Sequence, residues 1–138
     1  SSIENFILTN NMIQPFFLYI GTVAWVFGYD SIYSIQDKLD DINIGVKSTA
    51  LTFGNNLKFA IFSSYFIATI FWIISSPSLI WFCGVIFASL HMIWQLLLLE
   101  INSPSTALKL FKSNRDLGLI LASSALLDLI FKNYFAYL

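Results

Sequence analysis

Charged positions divide this chain into a few long apolar stretches. No formal charge falls between Asn5 and Tyr29, and none between Phe59 and Leu99, a run of 41 residues. Since about 20 apolar residues carry a helix across a hydrocarbon core, the second stretch is long enough for two crossings. Ser75-Ser76-Pro77-Ser78 breaks it near the middle, so the pattern predicts a tight helical hairpin, Leu57 to Ile74 and Leu79 to Leu99. An earlier helix starts near Pro15, a residue suited to a first turn, and runs through Phe16 to Tyr29 and on toward Asp37. A last apolar segment, Leu117 to Leu138, carries Asp128 and Lys132 at a spacing that lets them pair on one helix face. The expectation is an all-α transmembrane bundle of about four spans with cytoplasmic loops, in one domain over residues 1–138.

Composition agrees with a lipid setting. Apolar residues make up 57% of the chain and charged residues 11%, with a mean hydropathy of +0.75, whereas soluble domains carry about 25% charged residues. A net charge of −1, with no basic run longer than two neighbours, excludes the electrostatic footprint of a nucleic-acid binder. One cysteine, Cys83, cannot form an internal disulfide. The opening SSIENF lacks the basic region and cleavage pattern of a secretory signal. Lys and Arg in short loops stay on the cytoplasmic side. With four alternating spans, Lys38, Lys47 and Lys58 share a side with Lys109, Lys112 and Arg115, and only Lys132 departs. The acids between Asp30 and Asp41 are therefore expected to face the cytoplasm or a mitochondrial matrix.

Those acids lie in the most informative stretch, Tyr29 to Gly54, YDSIYSIQDKLDDINIGVKSTALTFG. Residues three, four and seven apart share a helix face, so Asp30, Tyr33, Asp37 and Asp41 form one stripe with Asp40 nearby. Like charges at i,i+4 repel, and acids at a helix C-terminus oppose its dipole. A cation offsets both costs. Mg²⁺, often held by one or two carboxylates plus the phosphates of a substrate, suits Asp37, Asp40 and Asp41. The plainer reading is a solvated acidic loop with Lys38 and Lys47 as counter-ions.

The whole string resembles the second aspartate-rich region of the UbiA family of intramembrane aromatic prenyltransferases, in its 4-hydroxybenzoate polyprenyltransferase branch. The residues that carry the resemblance are Tyr29-Asp30, Tyr33, Asp37, Asp41, the run Gly45-Val46-Lys47-Ser48-Thr49-Ala50, and Phe53-Gly54. Downstream, Phe111 to Gly118 is similar to a late cytoplasmic loop of the same enzymes. The resemblance covers the C-terminal half of such a protein. It implies transfer of a polyprenyl group from polyprenyl diphosphate to the ring of 4-hydroxybenzoate in ubiquinone biosynthesis, in a bacterial or mitochondrial inner membrane. It also implies Mg²⁺ at Asp37, Asp40 and Asp41, catalysis by Asp37, Asp41 and Tyr33, and substrate binding by Tyr29, Asp30, Lys47, Asn114 and Arg115.

Family members carry an earlier aspartate-rich motif, and Asn10 and Asn11 are followed by no such acids. The expectation is therefore an N-terminal portion, in a longer chain or a separate polypeptide, that supplies the rest of the ligand set. The alternatives are a non-catalytic membrane remnant or accessory subunit that binds Mg²⁺ and isoprenoid diphosphate, or a related prenyltransferase with another acceptor. His91, within a span, is expected to be neutral and hydrogen-bonded to a neighbouring helix, with Gln95 an available partner. Lys109 and Lys112 read equally as determinants of topology.

Overall fold

A computed structural model describes residues 12–136, with side chains through Tyr134. The readings made on SSIENF, on Asn10 and Asn11, and on the final turn of the chain lie outside these residues. The described residues form helices and no strands: α1 Ile13–Ile44, the short α2 Thr49–Phe53, a 3₁₀ turn Gly54–Asn56, α3 Leu57–Ser75, α4 Leu79–Leu98 and α5 Pro104–Ala136.

The expected hairpin is present, with Ser76, Pro77 and Ser78 as its turn. The Ser78 hydroxyl caps α4 by accepting from the Trp81 amide. The last helix begins 13 residues earlier than the apolar pattern predicts, at Pro104 instead of Leu117. Phe111 to Gly118 is accordingly helical and not a loop. Pro104 at the first helical position and good helix formers after it start the helix, and its charges sit on exposed positions, so polarity there did not signal a break. Three segments are long and apolar enough to cross a membrane, Thr49–Ser75, Leu79–Leu98 and Pro104–Tyr134. α1, at 32 residues, is long enough but not apolar enough by the same measure, because Gln14, Thr22 and the acids from Asp30 onward dilute its apolar residues.

The four long helices pack up-down-up-down. On α1, Gly21 lies against Trp72 of α3, and Gly28 lies against Tyr65. A Cβ at Gly28 would stand 2.4 Å from the Tyr65 ring, and one at Gly21 2.6 Å from the Trp72 ring. Small residues let two backbones approach closely, which is how helices associate where lipid removes the hydrophobic drive between them. The Ser64 hydroxyl donates to the Ala24 carbonyl in the same interface. Along the hairpin, Lys58 Nζ donates to the Leu99 carbonyl at 3.2 Å and Trp81 Nε1 to the Trp72 carbonyl at 2.6 Å.

α5 closes the bundle between α4 and α1. At one end Asp128 pairs with Lys132 at 2.6 Å, as its spacing suggested, and also accepts from the Ser78 hydroxyl. Further along, His91 Nε2 meets Ser113 Oγ at 3.1 Å, so His91 does bond to a neighbouring helix. Gln95 does not partner His91 directly; its Nε2 donates to the same Ser113 Oγ at 2.9 Å. Polar groups buried in a membrane bundle are expensive unless paired this way.

Candidate functional site

α1 extends well past its apolar half, and its final turns hold the acids. The helix ends where Gly45 adopts a left-handed conformation, φ 75°, which costs glycine little. There the Gly45 amide donates to the Ile42 carbonyl and the Val46 amide to the Asp41 carbonyl, a Schellman ending that satisfies two otherwise orphaned acceptors. Ser48 then caps α2. Ser34, on α1, accepts from the Thr49 hydroxyl at 2.8 Å and from the Ala50 amide at 3.0 Å. Ala50 itself is buried. In the run GVKSTA, Gly45, Ser48, Thr49 and Ala50 therefore build a fixed return of the chain. Lys47 is left exposed at its tip, beside the acidic end of α1.

The structure brings four of the expected residues together. Tyr29 packs edge-on against Phe111 of α5 with ring centroids 5.8 Å apart, and Tyr33 lies 4.8 Å from the same ring. Asn114, one turn beyond Phe111 and buried, accepts a hydrogen bond from Trp25 Nε1 at 3.0 Å. Its own amide nitrogen is held by the carbonyls of Leu110 and Phe111. Trp25 packs edge-on against Tyr29 at 5.1 Å. A cavity of about 410 Å³ opens between these side chains, lined by Trp25, Tyr29, Phe111, Lys112, Asn114 and Arg115 together with Gly118. Arg115 stands exposed at the cavity wall, its guanidinium bonded to Asp116 at 3.0 Å.

The acids are placed differently. Asp30 is exposed, Asp37 and Asp41 are half-buried, and Asp40 is exposed on the flank of their stripe. Among the described residues, no three His, Cys, Asp or Glu side chains form a group that could hold a metal ion. The donor chemistry of Asp37 and Asp41 fits Mg²⁺ held by one or two carboxylates plus phosphates. Asp37, Asp40 and Asp41 are not gathered into such a group, and Asp40 is the most exposed of the three. Trp25, Phe111 and Ser34 were not assigned roles from sequence. Trp25 was open to inference, since it precedes Tyr29 by one turn and shares its face.

A bundle of long apolar helices, with an acidic helix end and an aromatic pocket beside basic side chains, defines the class as a helical membrane protein. Residues 5–123 match the family model for the UbiA prenyltransferase family, and the chain belongs to that family. It is 41% identical over 74% of its length to a mitochondrial 4-hydroxybenzoate polyprenyltransferase of Dictyostelium discoideum, of which it covers 23%. It is 40% identical over 84% of its length to the corresponding protein of Drosophila melanogaster, covering 31%. With a 4-hydroxybenzoate octaprenyltransferase of Hydrogenovibrio crunogenus it is 30% identical over 83% of its length, covering 42%. The chain thus spans between about a quarter and two-fifths of the length of these relatives. No solved structure matches it. Family membership and three apolar helices identify an integral membrane protein.

Proposed function

We propose that this chain contributes to transfer of a polyprenyl group from its diphosphate to the ring of 4-hydroxybenzoate, in ubiquinone biosynthesis. The observation that carries the reading is that α1 bears both the Asp37–Asp41 stripe and, two turns earlier, the Tyr29 wall of the pocket it shares with Phe111, Asn114 and Arg115, with Tyr33 against Phe111 between them. The names of the relatives support the substrate pair.

The chemistry asks for three things of the protein: charge to hold the diphosphate, a surface for the allylic cation, and a seat for the aromatic ring. Lys47 supplies positive charge at the acidic end of α1. Tyr29 and Tyr33 present π faces, which stabilise a nearby cation by roughly 0.5–2 kcal/mol. The cavity beside Phe111 is large enough for a one-ring acid, with Lys112 and Arg115 placed for its carboxylate. As the C–O bond of the diphosphate breaks, the ring carbon forms the new C–C bond and the ring then loses a proton to solvent. Asp37 and Asp41, together with the substrate phosphates, would hold Mg²⁺, which would neutralise charge on the departing diphosphate.

With only two carboxylates so placed, the ligand set of this chain is open, which favours a requirement for a second aspartate-rich segment, in the same or another polypeptide. A chain lacking that complement binds Mg²⁺-diphosphate without turning it over. The acidic end faces the cytoplasm or the matrix, of a bacterial or mitochondrial inner membrane. The deciding test is prenylation of 4-hydroxybenzoate by membranes holding this chain, with and without such a segment. Asp37→Ala and Asp41→Ala are each expected to abolish Mg²⁺-dependent product. Undiminished product in either variant would refute the proposal.

A further inference from the structure

Gln95 of α4 is fully buried and has no part in the acidic stripe or the pocket. Its side chain is nevertheless saturated with partners from two other helices. Tyr65 Oη of α3 donates to its Oε1 at 2.6 Å. Its Nε2 donates to Ser113 Oγ at 2.9 Å and to the Leu110 carbonyl at 3.2 Å, both on α5. Ser113 in turn donates to the Leu110 carbonyl at 2.7 Å, and Asn114 Nδ2 reaches the same carbonyl at 3.2 Å. One carbonyl thus gathers Gln95, Ser113 and Asn114. Phe111 and Asn114, next to this junction, form the α5 wall of the pocket against Trp25 and Tyr29.

We propose that the chain of hydrogen bonds Tyr65–Gln95–Ser113 is a positioning device for the pocket, fixing the height and rotation of α5 and through it the placement of Phe111, Asn114 and Arg115. The physical ground is that lipid offers no alternative partner. An α5 slid along its axis leaves the amide of Gln95 unpaired in an apolar interior, which is costly, whereas apolar packing alone tolerates small slides. Gln95, Tyr65 and Ser113 are positioning residues and touch no reacting atom. What the positioned pocket holds rests on the prenyl-transfer reading; the positioning itself does not.

The test reads the Trp25 indole N–H, whose partner is Asn114, joined to Gln95 through the shared Leu110 carbonyl. In the ¹⁵N-labelled chain in detergent, Gln95→Met is expected to move the Trp25 indole resonance toward the free position and to speed its exchange with water. The Trp81 indole, bonded to the Trp72 carbonyl in the hairpin, serves as the internal mark of a folded bundle. Should Gln95→Met lose that mark, Tyr65→Phe, which keeps the ring and removes only the hydroxyl, is read the same way. An unmoved Trp25 signal in a variant that keeps the Trp81 signal overturns the proposal. In a preparation that transfers prenyl groups, Gln95→Met is expected to raise the KM for the aromatic acid several-fold and leave the KM for the diphosphate unchanged. A rise confined to the diphosphate overturns it too. Without any transfer the Trp25 resonance still decides, so failure of the functional reading stays distinct from failure of this one.

Discussion

Replacing Gly28 by alanine tests the packing on which the bundle rests. The added Cβ would lie 2.4 Å from Cε1 and 2.7 Å from Cδ1 of Tyr65, against the 3.4 Å at which ordinary contact begins. The ring has to retreat by about 1 Å, yet it is buried, and its hydroxyl is tied to Gln95 at 2.6 Å. Overpacking of this kind costs about 1–3 kcal/mol. Stretching the Tyr65–Gln95 bond adds about 1 kcal/mol, and the better helix propensity of alanine returns about 1 kcal/mol. The net expectation is a loss of about 2 kcal/mol, a large part of the margin that keeps a fold intact. Titration of the detergent-solubilised protein with SDS, followed by near-ultraviolet circular dichroism, measures it. Gly118→Ala is the control, because its Cβ would meet only Trp25 at 3.5 Å, an ordinary contact, and with the same gain in helix propensity it should equal the parent or exceed it by up to about 1 kcal/mol. Equal stability of the two variants would refute the reasoning.

Two further outcomes follow from the same contacts. Ser34→Ala removes the acceptor that holds Thr49 and the Ala50 amide; the start of α2 should loosen by about 1–2 kcal/mol, read as faster trypsin cleavage after Lys47, and an unchanged rate would count against the clasp. Asp128→Asn keeps an acceptor for Ser78 and loses only the pair with a largely exposed Lys132, so stability should fall by no more than about 1 kcal/mol; Asp128→Leu, which orphans the serine, should cost more, and the reverse order in thermal unfolding would overturn this account.

Much of the architecture was legible in the distribution of charge. The hairpin and its turn were readable because Pro77 and three serines interrupt an otherwise unbroken apolar run. The start of α5 was not, since Lys109, Lys112 and Arg115 resemble a loop when counted as charges, although they sit on the outside of a helix whose buried positions are Ala107, Leu110, Asn114 and Leu117. At the site, helical spacing correctly joined Tyr29 to Tyr33. Only tertiary structure brings Phe111 and Asn114 of a distant helix to them, a relation no local period encodes. The ligand set Asp37, Asp40 and Asp41 was read from spacing alone, and among the described residues the three are not gathered into a group able to hold a metal.

The two glycines of α1 and the two large aromatics of α3 stand seven residues apart on each helix, facing one another in reverse order. A matched pair of notches and teeth seats at one setting, and a slip of a single turn would drive a tyrosine or a tryptophan into a side chain with no gap to receive it. The seam between α1 and α3 is in this sense keyed against sliding. Any separation of the helices is therefore expected elsewhere in the ring, with α1 and α3 moving as one body and the acidic end of α1 keeping its alignment.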